Sequence, residues 1–327
     1  MKAIVITKYG HPLQVLQLKE VDKPALSDER VLVRVYATSV NVADLAPVVG
    51  HPVARLLGTG LRKPKSDITG TDLAGVVEAV GANVTRFKPG DEVFGAAPAT
   101  FAEYASARED RLVLKPANVT FEQAAAVPVA ALTALQGLRK GGLQPGQKVL
   151  VYGASGGVGT FMLQIAKALG GQVTALCSTA NLENARAQGA ERVIDYTKED
   201  FTRDHARYDL LMAVNGYRPL GIYRRALSPQ GVCVVAGGSL RQVAASLLLG
   251  RLLSRRGGKQ VIFMGIAKFN LPDLIQLAEL LETGQIKPLI EETYPFAEAA
   301  QAAAHVHAKH ARGKVVIVVD HGPANFG

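Results

Sequence analysis

The chain reads as an α/β protein in two parts, a compact all-β barrel and a doubly wound parallel sheet flanked by helices. Three patterns support this. Short apolar runs punctuated by turn residues fill the first third, strand and helix signals alternate from about residue 120, and a glycine-rich loop joins a buried strand to an amphipathic helix.

Taken in order, the strand signals of the first part are 3–6, 16–19, 31–36, 74–80, 92–94, 101–106 and 112–114. Gly10, Pro24, Gly81, Pro89-Gly90-Asp91 and Pro116 separate them. Val31, Val33 and Val35 alternate with Leu32, Arg34 and Tyr36, the period of a barrel wall. Thr120-Phe121-Glu122-Gln123 forms a capping box, with Thr120 as N-cap, and opens a helical stretch reaching about Lys140. Parallel-sheet strands are expected at 149–152, 172–177, 192–194, 208–213, 231–236 and 260–264. The tail carries helices at 272–282 and 297–310 and a last strand at 314–319.

Composition narrows the class. A chain of 327 residues with 48% hydrophobic side chains and 33 glycines is a well-cored globular protein, not a disordered one. Cys177 and Cys233 both fall in strand-like apolar runs, which predicts core thiols in reduced surroundings. Met1 to Ile6 enters a strand pattern without a signal-peptide core, and no apolar run is long enough to span a bilayer, so a cytoplasmic protein without stable membrane insertion is expected. The formal charge is +9, but basic residues are scattered apart from Arg62-Lys63-x-Lys65 and the group Arg251, Arg255, Arg256 and Lys259. No nucleic-acid module is present, and the charge suits solubility or an anionic ligand. Residues 247–256 read as a helix with a solvated basic edge, with an amphipathic cover or a membrane contact as the rival. His305, His307 and His310 fall on a solvated helix, the first two on different faces.

The glycine loop carries the strongest chemical signal. Val149 to Tyr152 is a buried strand, and Val158, Phe161, Met162, Ile165, Ala166 and Leu169 recur at helical spacing. Between them lies Ala154-x-Gly156-x-x-Gly159, the dinucleotide fingerprint with alanine in its first slot. Ala154, Ser155, Gly156, Gly157, Val158 and Gly159 would thus line a cofactor diphosphate, because bare backbone at a helix N-terminus offers N–H groups and a favourable dipole to an anion. The following strand ends at Ser178 and Thr179 with no carboxylate for ribose hydroxyls, which favours NADPH and leaves NADH open. Later loops place Asn215, Gly237, Phe263 and Met264 toward the nicotinamide half. One rival uses the same residues: Gly153-Ala154-Ser155-Gly156-Gly157 also fits a nucleophile elbow, with Ser155 as nucleophile of a hydrolase.

Several segments together carry a family resemblance. They are Ser39-Val40-Asn41-x-x-Asp44, Gly70-x-Asp72-x-Ala74-Gly75-Val76-Val77, Val84-x-Arg86-Phe87-Lys88-Pro89-Gly90-Asp91-Glu92-Val93-Phe94-Gly95, and Phe101-Ala102-Glu103-Tyr104. Ala124-Ala125-Ala126-Val127-Pro128 with Leu132-Thr133-Ala134, Val193-Ile194-Asp195-Tyr196 and His310-Ala311-Arg312-Gly313-Lys314-Val315-Val316 add to it. The chain resembles the medium-chain dehydrogenase/reductase superfamily, in its zinc-independent quinone oxidoreductase branch. The resemblance implies a GroES-like catalytic domain over 1–122 and 266–327 and a Rossmann domain over 123–265. It also implies Thr133 and Tyr196 at the cofactor, Tyr196 beside the adenosine phosphate.

The metal-using relatives place a cysteine ligand where Asn41 stands, and a Gly-His-Glu segment where Gly70-Thr71-Asp72 stands. The third ligand region, near 127–131, has no cysteine, and two cysteines cannot supply a four-cysteine structural lobe. No zinc is therefore expected. Hydride transfer from NADPH to a small-molecule quinone or α,β-unsaturated carbonyl then needs only a hydrogen-bond donor for the developing oxyanion. Asn41 is the first candidate, followed by Asp44 and Thr71; their plain alternatives are a turn amide, a loop-orienting acid and packing. A second copy of the chain is a candidate partner. The rival activities are a metal-free alcohol dehydrogenase or aldehyde reductase and a non-enzymatic NADPH-binding protein.

Overall fold

The computed structural model describes residues 1–50, 55, 60, 64, 67–203, 207–238, 240–254, 258–308 and 311–321. Arg62, Lys63, Lys65, Arg255, Arg256 and His310 lie outside them. Two compact units emerge, one of Met1–Val129, Phe269–Gly284 and Pro288–Gly327, the other of Ala130–Lys268 with Gln285–Lys287.

In chain order, the elements begin β1 (Lys2–Ile6), α1 (Pro12–Val15), β2 (Leu16–Glu20), β3 (Arg30–Val40), α2 (Ala46–Val49), β4 (Asp72–Val80), β5 (Glu92–Ala96), β6 (Tyr104–Arg108) and β7 (Leu112–Leu114). Next come α3 (Phe121–Ala125), α4 (Pro128–Lys140), β8 (Lys148–Tyr152), α5 (Gly157–Ala168), β9 (Gln172–Cys177), α6 (Leu182–Ala187), β10 (Arg192–Asp195) and β11 (Tyr208–Val214). The chain continues through α7 (Leu220–Ala226), β12 (Leu227–Ala236), α8 (Leu240–Ser254), β13 (Gln260–Phe263), α9 (Leu271–Glu282), β14 (Ile290–Pro295), α10 (Ala299–His307) and β15 (Lys314–Val318).

The first unit is organised around β3, which pairs antiparallel with β4, β6 and β15. Its sheet runs β14-β15-β3-β4-β5-β7, with β6 joined to β3. Val31, Val33 and Val35 are fully buried, as their alternation predicts. Register shifts between Leu32 and Val33 and between Val35 and Ala37 bend β3 so that it serves several neighbours. Gly75 allows β4 to approach: a Cβ there would sit 2.0 Å from the Arg34 carbonyl oxygen. Ile4, Leu73, Phe101, Val315 and Ile317 share the core, so strands from both ends of the sequence close one hydrophobic interior.

The second unit is a parallel sheet in the order β10-β9-β8-β11-β12-β13. Strand order reverses at β8, between β9 and β11, which is where a doubly wound sheet opens a ligand crevice at its carboxyl edge. Cys177 and Cys233 are free and buried in β9 and β12; burial pushes the Cys177 thiol up to about 11.

Three expectations need correction. The helix expected from Thr120 to Lys140 is two helices: Pro128 lacks an N–H and restricts the residue before it, so α3 ends and α4 restarts there. Strand β14 carried no signal, because Glu291 to Thr293 are exposed and β14 lies at the edge, parallel to β15. The histidines of α10 are not simply solvated. His305 Nδ1 lies 3.0 Å from the Tyr294 hydroxyl and its ring within 3.4 Å of both Glu291 and Glu292, while the His307 ring meets that of His11. No described helix is long and apolar enough to cross a membrane.

Candidate active site

In the second unit, β8 delivers the chain into the glycine loop. Gly153 turns with φ +81, and a Cβ there would lie 2.3 Å from the Val214 carbonyl oxygen. Ala154 is buried and its N–H reaches the Leu176 oxygen at 3.5 Å. Gly156 is the N-cap of α5, with no side chain to satisfy the first-turn N–H groups, and a Cβ on it would meet nothing closer than 3.9 Å. Gly159 is the opposite case, since its Cβ would stand 2.1 Å from the Gly153 oxygen. One glycine therefore leaves room above the helix end, and the other lets the helix seat against the strand turn. Gly157 and Val158 form the first turn itself.

Ser155 is half-buried, and among the described residues only Ala99 and Asn215 are non-glycine residues at positive φ. The strained elbow that a hydrolase needs is thus not formed at Ser155. Thr133 sits half-buried on α4. Ser178 accepts a hydrogen bond from Asn181 Nδ2 at 3.0 Å, and exposed Thr179 donates to Asp195 Oδ2. Tyr196 follows directly and is 52% exposed. Asn215 takes a left-handed turn at φ 50 after β11, beside Gly237 at φ +74 after β12, where a Cβ would be 3.6 Å from Asn215 Oδ1. Phe263 is half-buried, whereas Met264 is buried with its carbonyl accepting from Lys140 Nζ at 3.0 Å.

Asp195 entered the sequence analysis only as part of the family pattern, and its place beside Thr179 is not visible there. It ends β10 in register with Cys177, so sheet pairing brings a carboxylate beside the end of β9 that local sequence lacks. Hydrogen bonds from Thr179 and then Thr197 hold its carboxyl below the usual range.

The first unit gathers the other candidates in a buried polar cluster. The turn after β3 places Asn41 and Asp44, and the start of β4 places Thr71 and Asp72. Asn41 donates both ways through Nδ2, at 3.1 Å to Asp44 Oδ2 and 2.8 Å to Asp72 Oδ2, so its amide hydrogens are spent inside the cluster. The Asn41 backbone N–H also reaches Asp44 Oδ2, at 2.9 Å, and the Thr71 hydroxyl donates to Asp44 Oδ1 at 2.6 Å. Burial, then the charge of Asp72, pushes the Asp44 carboxyl up to about 6, against the hydrogen bonds it accepts. Asp72 accepts from Ser39 at 2.6 Å and from the Val129 N–H at 2.8 Å. Thr71 is only partly buried; Asn41, Asp44 and Asp72 are buried. Ser39 and Lys314 complete the cluster, and Lys314 Nζ lies 2.6 Å from Asn41 Oδ1 and 3.4 Å from Asp72 Oδ2. No local signal marks Lys314, whose partner Asp72 lies 242 residues away.

Two family models match the chain: an alcohol dehydrogenase GroES-like domain over residues 27–117 and a zinc-binding dehydrogenase model over 188–317. A 2-methylene-furan-3-one reductase of Solanum lycopersicum is 34% identical, over 97% of this chain and 79% of its own length. The chain is a medium-chain dehydrogenase/reductase. A chloroplastic NADPH-dependent alkenal/one oxidoreductase of Arabidopsis thaliana is 32% identical to this dehydrogenase/reductase over 97% of the chain, again with 79% of the relative covered. The structure of the quinone oxidoreductase from Coxiella burnetii matches it with a TM-score of 0.85 and 29% identity, covering 98% of this chain and 99% of that one.

The glycine cradle fits a dinucleotide, since it combines an uncapped helix start with open space at Gly156. A catalytic zinc fits poorly. Among the described residues the cluster offers no thiolate or imidazole, its carboxylates are taken, and an ammonium points into it. Among the described residues no group of three or more histidines, cysteines or acids is placed to hold a metal.

Proposed function

We propose that this dehydrogenase/reductase uses NADPH to reduce a quinone or an α,β-unsaturated carbonyl without a metal. The cradle at 153–159 is the observation that carries the reading, and the quinone and enone reductases among its relatives support the substrate class. In this reading Ala154, Ser155, Gly156, Gly157, Val158 and Gly159 hold the diphosphate, with Thr133, Asn215, Gly237, Phe263 and Met264 along the nicotinamide half. Ser178, Thr179 and Tyr196 take the adenosine phosphate. β9 itself ends without an acid, which supports NADPH, as does the NADPH-dependent relative; the ionised Asp195 beside it, bonded to Thr179 and Thr197, is the feature that would favour NADH. The proposed setting is the cytoplasm.

Reduced nicotinamide, when bound, supplies the hydride. The protein must then receive an oxyanion and deliver a proton. Asn41 is a poor donor because both amide hydrogens are committed. Thr71 serves instead. While Asp44 is ionised, the Thr71 hydroxyl points inward to it; once Asp44 is protonated, Oδ1–H donates to the Thr71 oxygen and the Thr71 hydrogen turns to an outside acceptor. Thr71 then passes its proton to the substrate oxygen as Asp44 passes its own to Thr71, and solvent reprotonates Asp44.

NADPH and NADH oxidation with a quinone, an alkenal and a simple aldehyde tests the reading. Turnover is expected with the quinone or the alkenal, faster with NADPH. Turnover of the aldehyde alone favours the alcohol dehydrogenase rival. NADPH binding without turnover of any of the three favours a non-enzymatic role.

A further inference from the structure

The cluster contains one buried cation that neither the fingerprint nor the substrate chemistry calls for. Lys314, the first residue of β15, is 3% exposed, and its Nζ directs hydrogens to Asn41 Oδ1 and Asp72 Oδ2 at 2.6 and 3.4 Å. An ammonium has only donors, so the Asn41 carbonyl oxygen must face it and the amide nitrogen must face away. That nitrogen is then aimed at Asp72 and Asp44 together. Asp72 accepts from Ser39, Asn41 and Lys314 on Oδ2 and from the Val129 N–H on Oδ1, so every group aimed at it is a donor.

We propose that Lys314 is a positioning residue for the proton donor: it locks the Asn41 amide and sets a cation against Asp72, so that a proton taken up by the cluster resides on Asp44, behind Thr71. This rests on the reading of Thr71 and Asp44 as the donor pair. Asp72 is the charge acting directly on Asp44, and Lys314 acts through it. The helix packed against the 42–45 turn, α10, carries His305 and His307, which are engaged with Tyr294, Glu291 and Glu292 and with His11. Removing the ammonium would leave two buried carboxyls linked by an amide free to flip. Their mutual repulsion would then go unopposed, and a proton on the cluster would be held to higher pH than in the wild type.

The test is a pH titration of the Asp44 and Asp72 carboxyl carbons by NMR, on the full chain, for wild type, Lys314→Met and Lys314→Arg. The upper midpoint of the pair should rise by about one pH unit or more in Lys314→Met, with the pH limb of kcat moving with it, and Lys314→Arg should restore most of both. An unmoved midpoint in a folded Lys314→Met protein overturns the proposal, because a purely structural lysine would leave the titration in place. Should Lys314→Met fail to fold, the Lys314→Met/Asp72→Asn variant removes both buried charges together. Asp44 should then titrate at or below its wild-type midpoint, and a midpoint above it overturns coupling through Asp72. The titration needs no turnover, so a chain that reduces no quinone or enone removes the proposed function and leaves this result to stand or fall separately.

Discussion

Asp44 is 4% exposed and shares the Asn41 amide with a second carboxyl, Asp72. Its folded value of about 6 lies above the 3.8 of an exposed aspartate, so between these values the folded protein binds more protons than the unfolded chain. Stability from this group therefore falls as pH rises from about 4 to about 6 and is flat above, a loss on the order of 3 kcal/mol. Replacement by asparagine should flatten that slope in denaturant melts taken across this range. The same carboxyl sets an activity prediction. The kcat for a substrate limited by protonation should fall as pH rises through about 6, and the break should vanish in Asp44→Asn. Residue types at Asn41, Asp44 and Thr71 were legible as polar candidates. Their division of labour was not, because it depends on which hydrogens the amide has already committed.

At the scale of elements, the loop between β8 and α5 was legible because each glycine answers a local requirement of backbone shape. Gly159 shows how strict that requirement is. A methyl group would sit 2.1 Å from the Gly153 oxygen and 2.8 Å from Ala154 backbone, so helix and turn must separate. Gly159→Ala should weaken NADPH binding tenfold or more by fluorescence titration and lower the melting temperature; unchanged affinity would place the diphosphate elsewhere. The capping box at Thr120 was equally local: Thr120 Oγ1 accepts from the Gln123 N–H at 3.2 Å while Gln123 Oε1 accepts from Thr120 at 3.0 Å. Strand β14 failed for the converse reason. An edge strand held by backbone pairing to β15 leaves its side chains in water, so the sequence has no alternation to display.

For the molecule as a whole, the question is how a chain matched by a zinc-binding dehydrogenase model manages its charges. The first unit meets two buried carboxyls with Lys314 and a chain of hydroxyl and amide donors. Reductase activity should accordingly survive exhaustive treatment with a strong chelator, with metal content followed by mass spectrometry. Activity lost with the metal and restored by zinc would overturn the metal-free reading.

Periodicity, turn residues and the fingerprint were enough to read a barrel, a doubly wound sheet and a glycine loop opening a helix, since each is a pattern of neighbours along the chain. The Asp195–Thr179 bond and the Lys314–Asn41–Asp72 cluster exist only once strands distant in sequence have paired. Strand register puts a carboxylate beside Cys177 and a lysine beside Asn41 at the end of β3, and hydrogen bonds and buried charges answer to distance in space.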